Sequence, residues 1–194
     1  MICSAAEKDL PAGGEKHQNG FELRPTPVGT IELKLWGRFP PGWAGSLTGG
    51  LSRKGISVIR GSAKKVHTSW EAVFETDVSR CAADPNRIDY LALAMDDGCT
   101  EPGNGITLSG FSLGDPEKHD GALLLEVSAP DQLGFLAALL NRLAFLFLFP
   151  EEMRIETVNG KAVDRFRLKG IGGNPPSATA RAALQRKLQD LVAK

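Results

Sequence analysis

The stretch EVSAPDQLGFLAALLNRLAFLFLFPEEMRIE, from Glu126 to Glu156, holds the change of pattern that decides the fold. A strand-like run ends at Pro130, a glycine follows four residues later, and an apolar segment then runs over 135–149. Such a segment could be a membrane anchor, a core helix or the mouth of a binding site. The apolar run covers only fifteen residues and is interrupted by Asn141 and Arg142, whereas a membrane span needs about 20. We therefore predict that it is not a membrane anchor.

Length and composition indicate a soluble globular protein. The chain has 194 residues, 42% of them hydrophobic and 24% charged, and its 23 basic and 23 acidic residues cancel. A neutral chain has no global field that would recruit nucleic acid or an anionic membrane. Its three cysteines form no CxxC pair, which favours free thiols in a reducing compartment. The charged N-terminus lacks the apolar core of a signal peptide, so we expect a cytoplasmic protein.

The two signs of charge are nevertheless segregated along the chain. The segment 33–70 contains seven basic residues and no acidic one, whereas 71–102 contains eight acidic residues and two arginines. Neighbouring strands and helices of opposite sign could neutralise each other. Alternatively, the basic arc from Arg53 to Lys65 could form a face that binds a partner.

The chain after residue 28 consists of two similar units. The first predicts a strand over 30–37 and a helix with a buried stripe of Trp43, Leu47 and Leu51. A hairpin, a second helix and a closing strand, GITLSGFSL, follow. The second helix is predicted over DPNRIDYLALAMDD with Asp84 as its N-cap; its predicted stripe is Ile88, Leu91, Ala92 and Met95.

The second unit follows the same order. It predicts a strand, a turn over 131–134 and a helix over 135–147, then a hairpin that turns at Asn159-Gly160, the strongest short-range hairpin signal. Ser177 is predicted to cap a last helix that runs to Val192. No closing strand is evident after it, unless residues near either chain end supply one.

The two units superpose without gaps at an offset of 92 residues. The matched pairs are Leu33–Leu125, Leu35–Val127, Gly42–Gly134, Trp43–Phe135, Leu47–Leu139, Leu51–Leu143 and Phe74–Phe166. This pattern predicts a tandem repeat of an α+β unit. We expect two ferredoxin-like βαββαβ units, each an antiparallel sheet with helices on one face. The predicted boundaries are a flexible segment at 1–28, a first domain at 29–115 and a second at 121–194.

The motif APDQLGFL, followed by a helix and then VDRFRL, resembles the ACT domain. The resemblance is closest to the double ACT region of bacterial uridylyltransferases and to small double-ACT regulators. That family has Asp-x-x-Gly, a large apolar residue and leucine after its first strand, matched here by Asp131, Gly134, Phe135 and Leu136. Its third strand often reads Val-x-Asp-x-Phe, matched with one spacing change by Val163, Asp164 and Phe166. The first copy keeps Gly42 but has Phe39 in place of the aspartate.

The resemblance implies regulatory binding of a small molecule, typically an amino acid, where the turn after the first strand meets the neighbouring copy. The free N–H groups and dipole of a helix N-terminus suit a carboxylate there, and glycine permits close approach. The implied ligand-binding residues are Asp131, Gln132, Leu133, Gly134, Phe135, Arg38, Gly42 and Trp43. Ordinary capping and turn geometry would explain Asp131 and Gly134 equally well, and Trp43 and Phe135 are also typical core residues.

The sequence contains no catalytic or cofactor-binding motif, since HExxH, GxSxG and the phosphate-binding GxxxxGK[ST] are all absent. We therefore expect a protein without catalysis, cofactor or metal, which acts as an oligomer or on a partner protein. One alternative is a pure interaction module that uses its sheet edges and a patch at Leu148-Phe149. The less favoured alternative is phosphate binding by the basic arc.

Overall fold

A computed structural model of the chain describes residues 18–96 and 105–193. Most of the predicted flexible segment, 1–17, lies outside the described residues. Its last part does not fit that prediction, because Gly20–Pro25 forms a strand that pairs with Ile31–Gly37. The alternation of Phe21 and Leu23 toward the core explains why this segment is ordered.

The described elements follow one order twice. The first half contains strand β1 (Gly20–Pro25), β2 (Ile31–Gly37), helix α1 (Trp43–Arg53), β3 (Ser57–Val66), β4 (Ser69–Asp77) and α2 (Tyr90–Met95). The second half contains β5 (Gly110–Leu113), β6 (Leu123–Pro130), α3 (Phe135–Phe145), β7 (Phe149–Val158), β8 (Lys161–Lys169) and α4 (Ala178–Leu191). Short 3-10 turns lie at Pro85–Arg87, Pro116–Lys118 and Ile171–Gly173.

All eight strands belong to one antiparallel sheet with the order β1-β2-β4-β3-β7-β8-β6-β5. The α+β class is confirmed, but the two separate sheets predicted from the repeat are joined into one. The junction is the pairing of β3 with β7, which brings Ala63 opposite Met153.

The outer strands also differ from the prediction. The segment GITLSGFSL was expected to close the first unit, yet its strand β5 pairs with β6 of the second half. The first half takes its outer strand, β1, from the residues that precede it. In each half, the outer strand is therefore the first strand in the chain. It pairs with the strand that follows it, because a short connection joins the two as antiparallel neighbours.

The four helices and one face of the sheet share a single hydrophobic core. Side chains alternate along the strands, so that in β8 the residues Ala162, Phe166 and Leu168 are buried while Arg165 is exposed. The opposite face carries mostly polar and charged side chains. Ion pairs such as Arg60–Glu75 and Arg165–Glu126, both at 2.6 Å, lie on it.

The 92-residue offset predicted from the sequence is preserved in the backbone. Helices α1 and α3 begin at Trp43 and Phe135, and both are 11 residues long. The two helices pack against each other through small residues. A β-carbon at Gly45 would lie 2.6 Å from Oδ1 of Asn141, and one at Gly49 would lie 3.9 Å from the β-carbon of Ala137.

The second helix of the first unit is shorter than predicted. Asp84 caps only a 3-10 turn, by accepting a hydrogen bond from the Asn86 N–H, and α2 begins after a second cap at Asp89. The new start changes which side faces inward. Tyr90 and Ala94 are buried, whereas the predicted stripe residue Met95 is 48% exposed.

The end of α3 corrects two further predictions. The helix stops at Phe145, and Phe147, the predicted last residue of the helix, is 61% exposed with a left-handed φ of 56°. Glycine occupies the equivalent position, Gly55, in the first half and is favoured there because it lacks a β-carbon. The predicted surface patch at Leu148-Phe149 is not formed, since Leu148 is fully buried.

Two predictions concern the whole chain rather than one element. Among the described residues, no helix combines the length and the hydropathy needed to cross a membrane. Cys81 has a free thiol, and the other two cysteines lie outside the described residues.

Two local predictions, the Asn159-Gly160 turn and the Ser177 cap, are both confirmed.

Candidate functional site

Two clefts lie at equivalent places in the repeat, one at the N-terminus of α3 and the other at the N-terminus of α1. Each is lined by residues of both halves. The acidic cleft is lined by Asp131, Gln132, Gly134, Phe135 and Asp164, and from the other half by Thr48 and Ser52. The aromatic cleft is lined by Phe39, Gly42, Trp43, Lys65 and Trp70, and from the other half by Leu140, Phe149 and Lys169.

The backbone at both helix starts has the same unusual conformation. Gly42 has φ 86° and ψ −4°, and Gly134 has φ 87° and ψ −2°, so both lie in the left-handed region where glycine is favoured. Space also matters at Gly134, because a β-carbon there would lie 2.9 Å from Oγ of Ser52 in α1. The two halves therefore approach each other closely at the acidic cleft.

The turn that carries Asp131 is held by the backbone of the neighbouring hairpin. The Asp131 N–H donates to the carbonyl of Gly160, at 2.9 Å, and the Phe135 N–H donates to the carbonyl of Gln132, at 3.1 Å. The Asp131 side chain itself is exposed at the mouth of the cleft. It is thus available to a ligand that approaches from solvent.

Asp164 is the most unusual residue of the acidic cleft. It lies on the buried face of β8, with 1% of its surface exposed. Its carboxylate accepts a hydrogen bond from the Glu156 backbone N–H, but its Oδ1 has no hydrogen-bond partner in the part of the chain that the structure describes. Loss of hydration raises the pKa of Asp164 to about 7, and the negative charge of Asp131 adds to the increase.

The acidic cleft is small. Its free volume of about 30 Å³ exceeds what one water molecule needs and is comparable to the volume of a single ammonium group. Thr48 does not satisfy Asp164, because its hydroxyl donates to the carbonyl of Ala44 at 2.7 Å. The cleft therefore combines a buried acceptor, an exposed carboxylate at its mouth and room for one small polar group.

The aromatic cleft is larger and of different chemistry. Its volume is about 450 Å³, within the range typical of small-molecule sites. Phe39 stacks on Trp43 with ring centres 4.9 Å apart, and Trp43 meets Trp70 edge-on at 5.2 Å. Lys65 brings positive charge to this cleft, and Lys169 also lines it while its ammonium group donates to the Asp120 backbone carbonyl.

Most of the residues predicted for ligand binding line one of the two clefts, but not the same one. Asp131, Gln132, Gly134 and Phe135 line the acidic cleft, whereas Gly42 and Trp43 line the aromatic cleft. Leu133 lines neither and is 41% exposed. Arg38 is also outside both clefts; its backbone N–H and carbonyl bond to the side chain of Asn19, at 2.7 and 2.8 Å.

Sequence reasoning missed several lining residues. Asp164 was noted only as part of a motif, although its position among the inward residues Ala162, Phe166 and Leu168 was a readable signal of a buried carboxylate. Thr48 and Ser52 gave no such signal, because they belong to the other repeat. Their place in the cleft depends on how the two halves pack.

The basic arc is not gathered into one surface. Lys64 and Lys65 are consecutive in β3, so they lie on opposite faces of the sheet. Lys64 is opposite Glu71, and Arg60 pairs with Glu75 at 2.6 Å. This arrangement agrees with mutual neutralisation of the two oppositely charged segments.

The described residues contain no group of three or more His, Cys, Asp or Glu side chains that could hold a metal ion. Comparison of the chain with protein-family models, with curated proteins and with solved structures finds no match.

Proposed function

We propose that the protein is a non-catalytic regulator that binds a small molecule with a protonated amino group, foremost an amino acid, in the acidic cleft. The observation that carries this proposal is the unpartnered Oδ1 of Asp164, a buried carboxylate oxygen of a residue that lines a space large enough for an ammonium group. A buried carboxylate is costly to ionise without a cation or a donor beside it. An ammonium group would provide both.

The surroundings of Asp164 suit the rest of an amino acid. The N-terminal turn of α3 favours a carboxylate through its free N–H groups and its dipole. The small interior volume holds only the amino group, so the side chain of the ligand would lie at the mouth, beside Asp131 and Gln132. The resemblance of this turn to the ACT domain supports the same location.

We further infer that each half is a ferredoxin-like ACT unit in which the outer strand precedes the first helix instead of following the second. The order β1-β2-β4-β3 and its repeat β5-β6-β8-β7 support this inference. Because both clefts lie between the halves, a ligand that fits one packing of the halves better would shift the population toward it. A partner in the cytoplasm would then respond to that state.

The test is a thermal-shift screen against the twenty amino acids, with the N-acetylated form of each ligand that gives a signal. A ligand at 100 times its Kd should add about 2.7 kcal/mol of stability. We expect the shift to disappear in Asp164→Asn and to persist in Asp190→Asn, which changes an exposed aspartate on α4. Equal binding of the N-acetylated ligand, or silence across the whole panel, would contradict the proposal.

A protein-interaction module is the second candidate, and one observation favours it. Phe145 and Phe147 at the end of α3 are 54% and 61% exposed, which is typical of a contact surface. In that case the protein should form a stable dimer that is lost in Phe145→Ser with Phe147→Ser and is unaffected by Asp164→Asn. Sedimentation velocity distinguishes the two candidates.

A further inference from the structure

The residues of the two clefts can be compared one by one, because the backbone repeats at an offset of 92 residues. Polar residues of the acidic cleft have apolar counterparts in the aromatic cleft: Asp131 corresponds to Phe39, Thr48 to Leu140 and Ser52 to Ala144. The buried Asp164 corresponds to Ala72. The aromatic cleft has therefore lost the two carboxylates that would attract an amine.

The aromatic cleft has also gained positive charge. Lys65 stands where the acidic cleft has Thr157, whereas Lys169, which also lines the aromatic cleft, donates its ammonium N–H to the backbone carbonyl of Asp120. Lys65 has no carboxylate within 4.0 Å in the described ranges. One acidic residue, Glu151, lines this cleft. Its charge is neutralised by an ion pair in which Nε of Arg167 lies 2.6 Å from Oε1 of Glu151.

The shape of the cleft suits a flat apolar group. Phe39, Trp43 and Trp70 form a continuous aromatic wall, and Leu140 and Phe149 from the second half lie across from it. Aromatic rings prefer offset-stacked or edge-on neighbours of their own kind. The N-terminus of α1, an 11-residue helix, adds a positive dipole end.

We propose that the aromatic cleft is a second binding site, which takes a flat apolar carboxylate such as an arylacetate, so that the two clefts bind ligands of opposite charge. This inference does not depend on the amine site. The charge complementarity with Lys65 and the aromatic wall select the ligand, and the volume of about 450 Å³ accommodates it.

The test uses tryptophan emission, because two of the three tryptophans lie in this cleft and none lies in the acidic cleft. The third, Trp36, is replaced by phenylalanine to remove its background. Phenylacetate is titrated beside two matched probes, neutral phenylacetamide and cationic phenethylamine. We expect saturable quenching by phenylacetate at a concentration about tenfold lower than by phenylacetamide, and none by phenethylamine.

Variants in which a residue of the aromatic cleft is replaced by its counterpart from the acidic cleft identify the cause of the ligand preference. Lys65→Thr should reduce the preference for carboxylate over amide by about threefold, whereas the control Lys64→Thr, on the opposite face of the same strand, should leave it unchanged. Phe39→Asp should abolish phenylacetate quenching. Asp164→Asn should not affect it, which separates this site from the amine site.

Three results would overturn the inference. They are equal affinity for phenylacetate and phenylacetamide, equal effects of Lys65→Thr and Lys64→Thr, or unchanged emission up to the solubility limit of phenylacetate. Circular dichroism and melting curves of each variant verify that the protein remains folded.

Discussion

Asp164 in β8 stands where Ala72 stands in β4, and this difference contributes to the contrast between the two clefts. Both residues occupy equivalent positions of the repeat, and both side chains face the core. An alanine there is neutral at every pH, whereas the aspartate must be either protonated or ionised without full hydration. The pKa of about 7 places this change close to neutral pH.

Stability should therefore depend on pH through Asp164. Its pKa is 3.8 in the unfolded chain and about 7 in the folded protein, so between these values the folded state binds the proton and the unfolded state does not. The free energy of unfolding should fall as pH rises from about 4 to about 7, by on the order of 4 kcal/mol in total, and then stay level. Urea unfolding of the wild type and Asp164→Asn at half-unit steps of pH measures this difference.

The asparagine variant removes the titration, so only the difference between the two curves is assigned to Asp164. Asp131→Asn should retain the pH dependence but move its upper end to lower pH, because one source of the raised pKa is removed. A constant difference between wild type and Asp164→Asn from pH 4 to pH 8 would show that the carboxyl group is hydrated or paired.

At the scale of the elements, the crossing of α1 and α3 fixes the distance between the halves. Small residues form this contact, and the two sides of it are not equivalent. Gly45 faces the buried side chain of Asn141, whereas Gly49 faces the small Ala137 of α3 and, within α1, the end of the Arg53 side chain. Glycine is thus required for space at one position and is only tolerated at the other.

The two glycines should respond oppositely to the same substitution. Gly45→Ala should destabilise the protein by about 1–2 kcal/mol, because its β-carbon would lie 2.6 Å from the Asn141 amide oxygen. Gly49→Ala should stabilise it by about 0.5–1 kcal/mol through helix propensity, since its nearest neighbour would be 3.5 Å away. Chemical denaturation of both variants gives the two values.

A double-mutant cycle assigns the cause of the loss. In an Asn141→Ala background, Gly45→Ala should no longer be destabilising, because the clashing atom is absent. An unchanged cost in that background would place the strain elsewhere in the helix.

At the scale of the whole molecule, the pairing of β3 with β7 makes the two repeats one folding unit. Met153 of β7 is 1% exposed and lies opposite Ala63 of β3, at the junction of the halves. The core is likewise continuous across this line. We therefore expect heat to unfold both halves in one cooperative transition.

Met153→Ala should lower the stability of both halves together, by about 3 kcal/mol. Hydrogen exchange in β2 and in β6 should increase by the same factor, although β2 belongs to the other repeat. Arg154→Ala, the next residue on the open face, should change stability by less than about 0.5 kcal/mol. Two separate transitions in calorimetry, or increased exchange in β6 alone, would disprove the single unit.

The sequence by itself determined the repeat, the element types from residue 30 onward and the two glycine turns. These features are local: Trp43, Leu47 and Leu51 recur at helical spacing, and Asn159-Gly160 specifies a tight hairpin whatever surrounds it. The break between Asp84 and Asp89 was less predictable, because both residues are good N-caps and only the packing of Tyr90 selects the second.

Only the tertiary structure decided which strand closes which half and what lines each cleft. The segments that form β1 and β5 can pair with any exposed strand edge, and short connections to β2 and β6 select their partners. The clefts lie between the halves. Ser52 and Gly134 are therefore close in space although they are 82 positions apart in the sequence. Contacts of this kind leave no periodic pattern in the sequence, because they depend on how two folded surfaces meet.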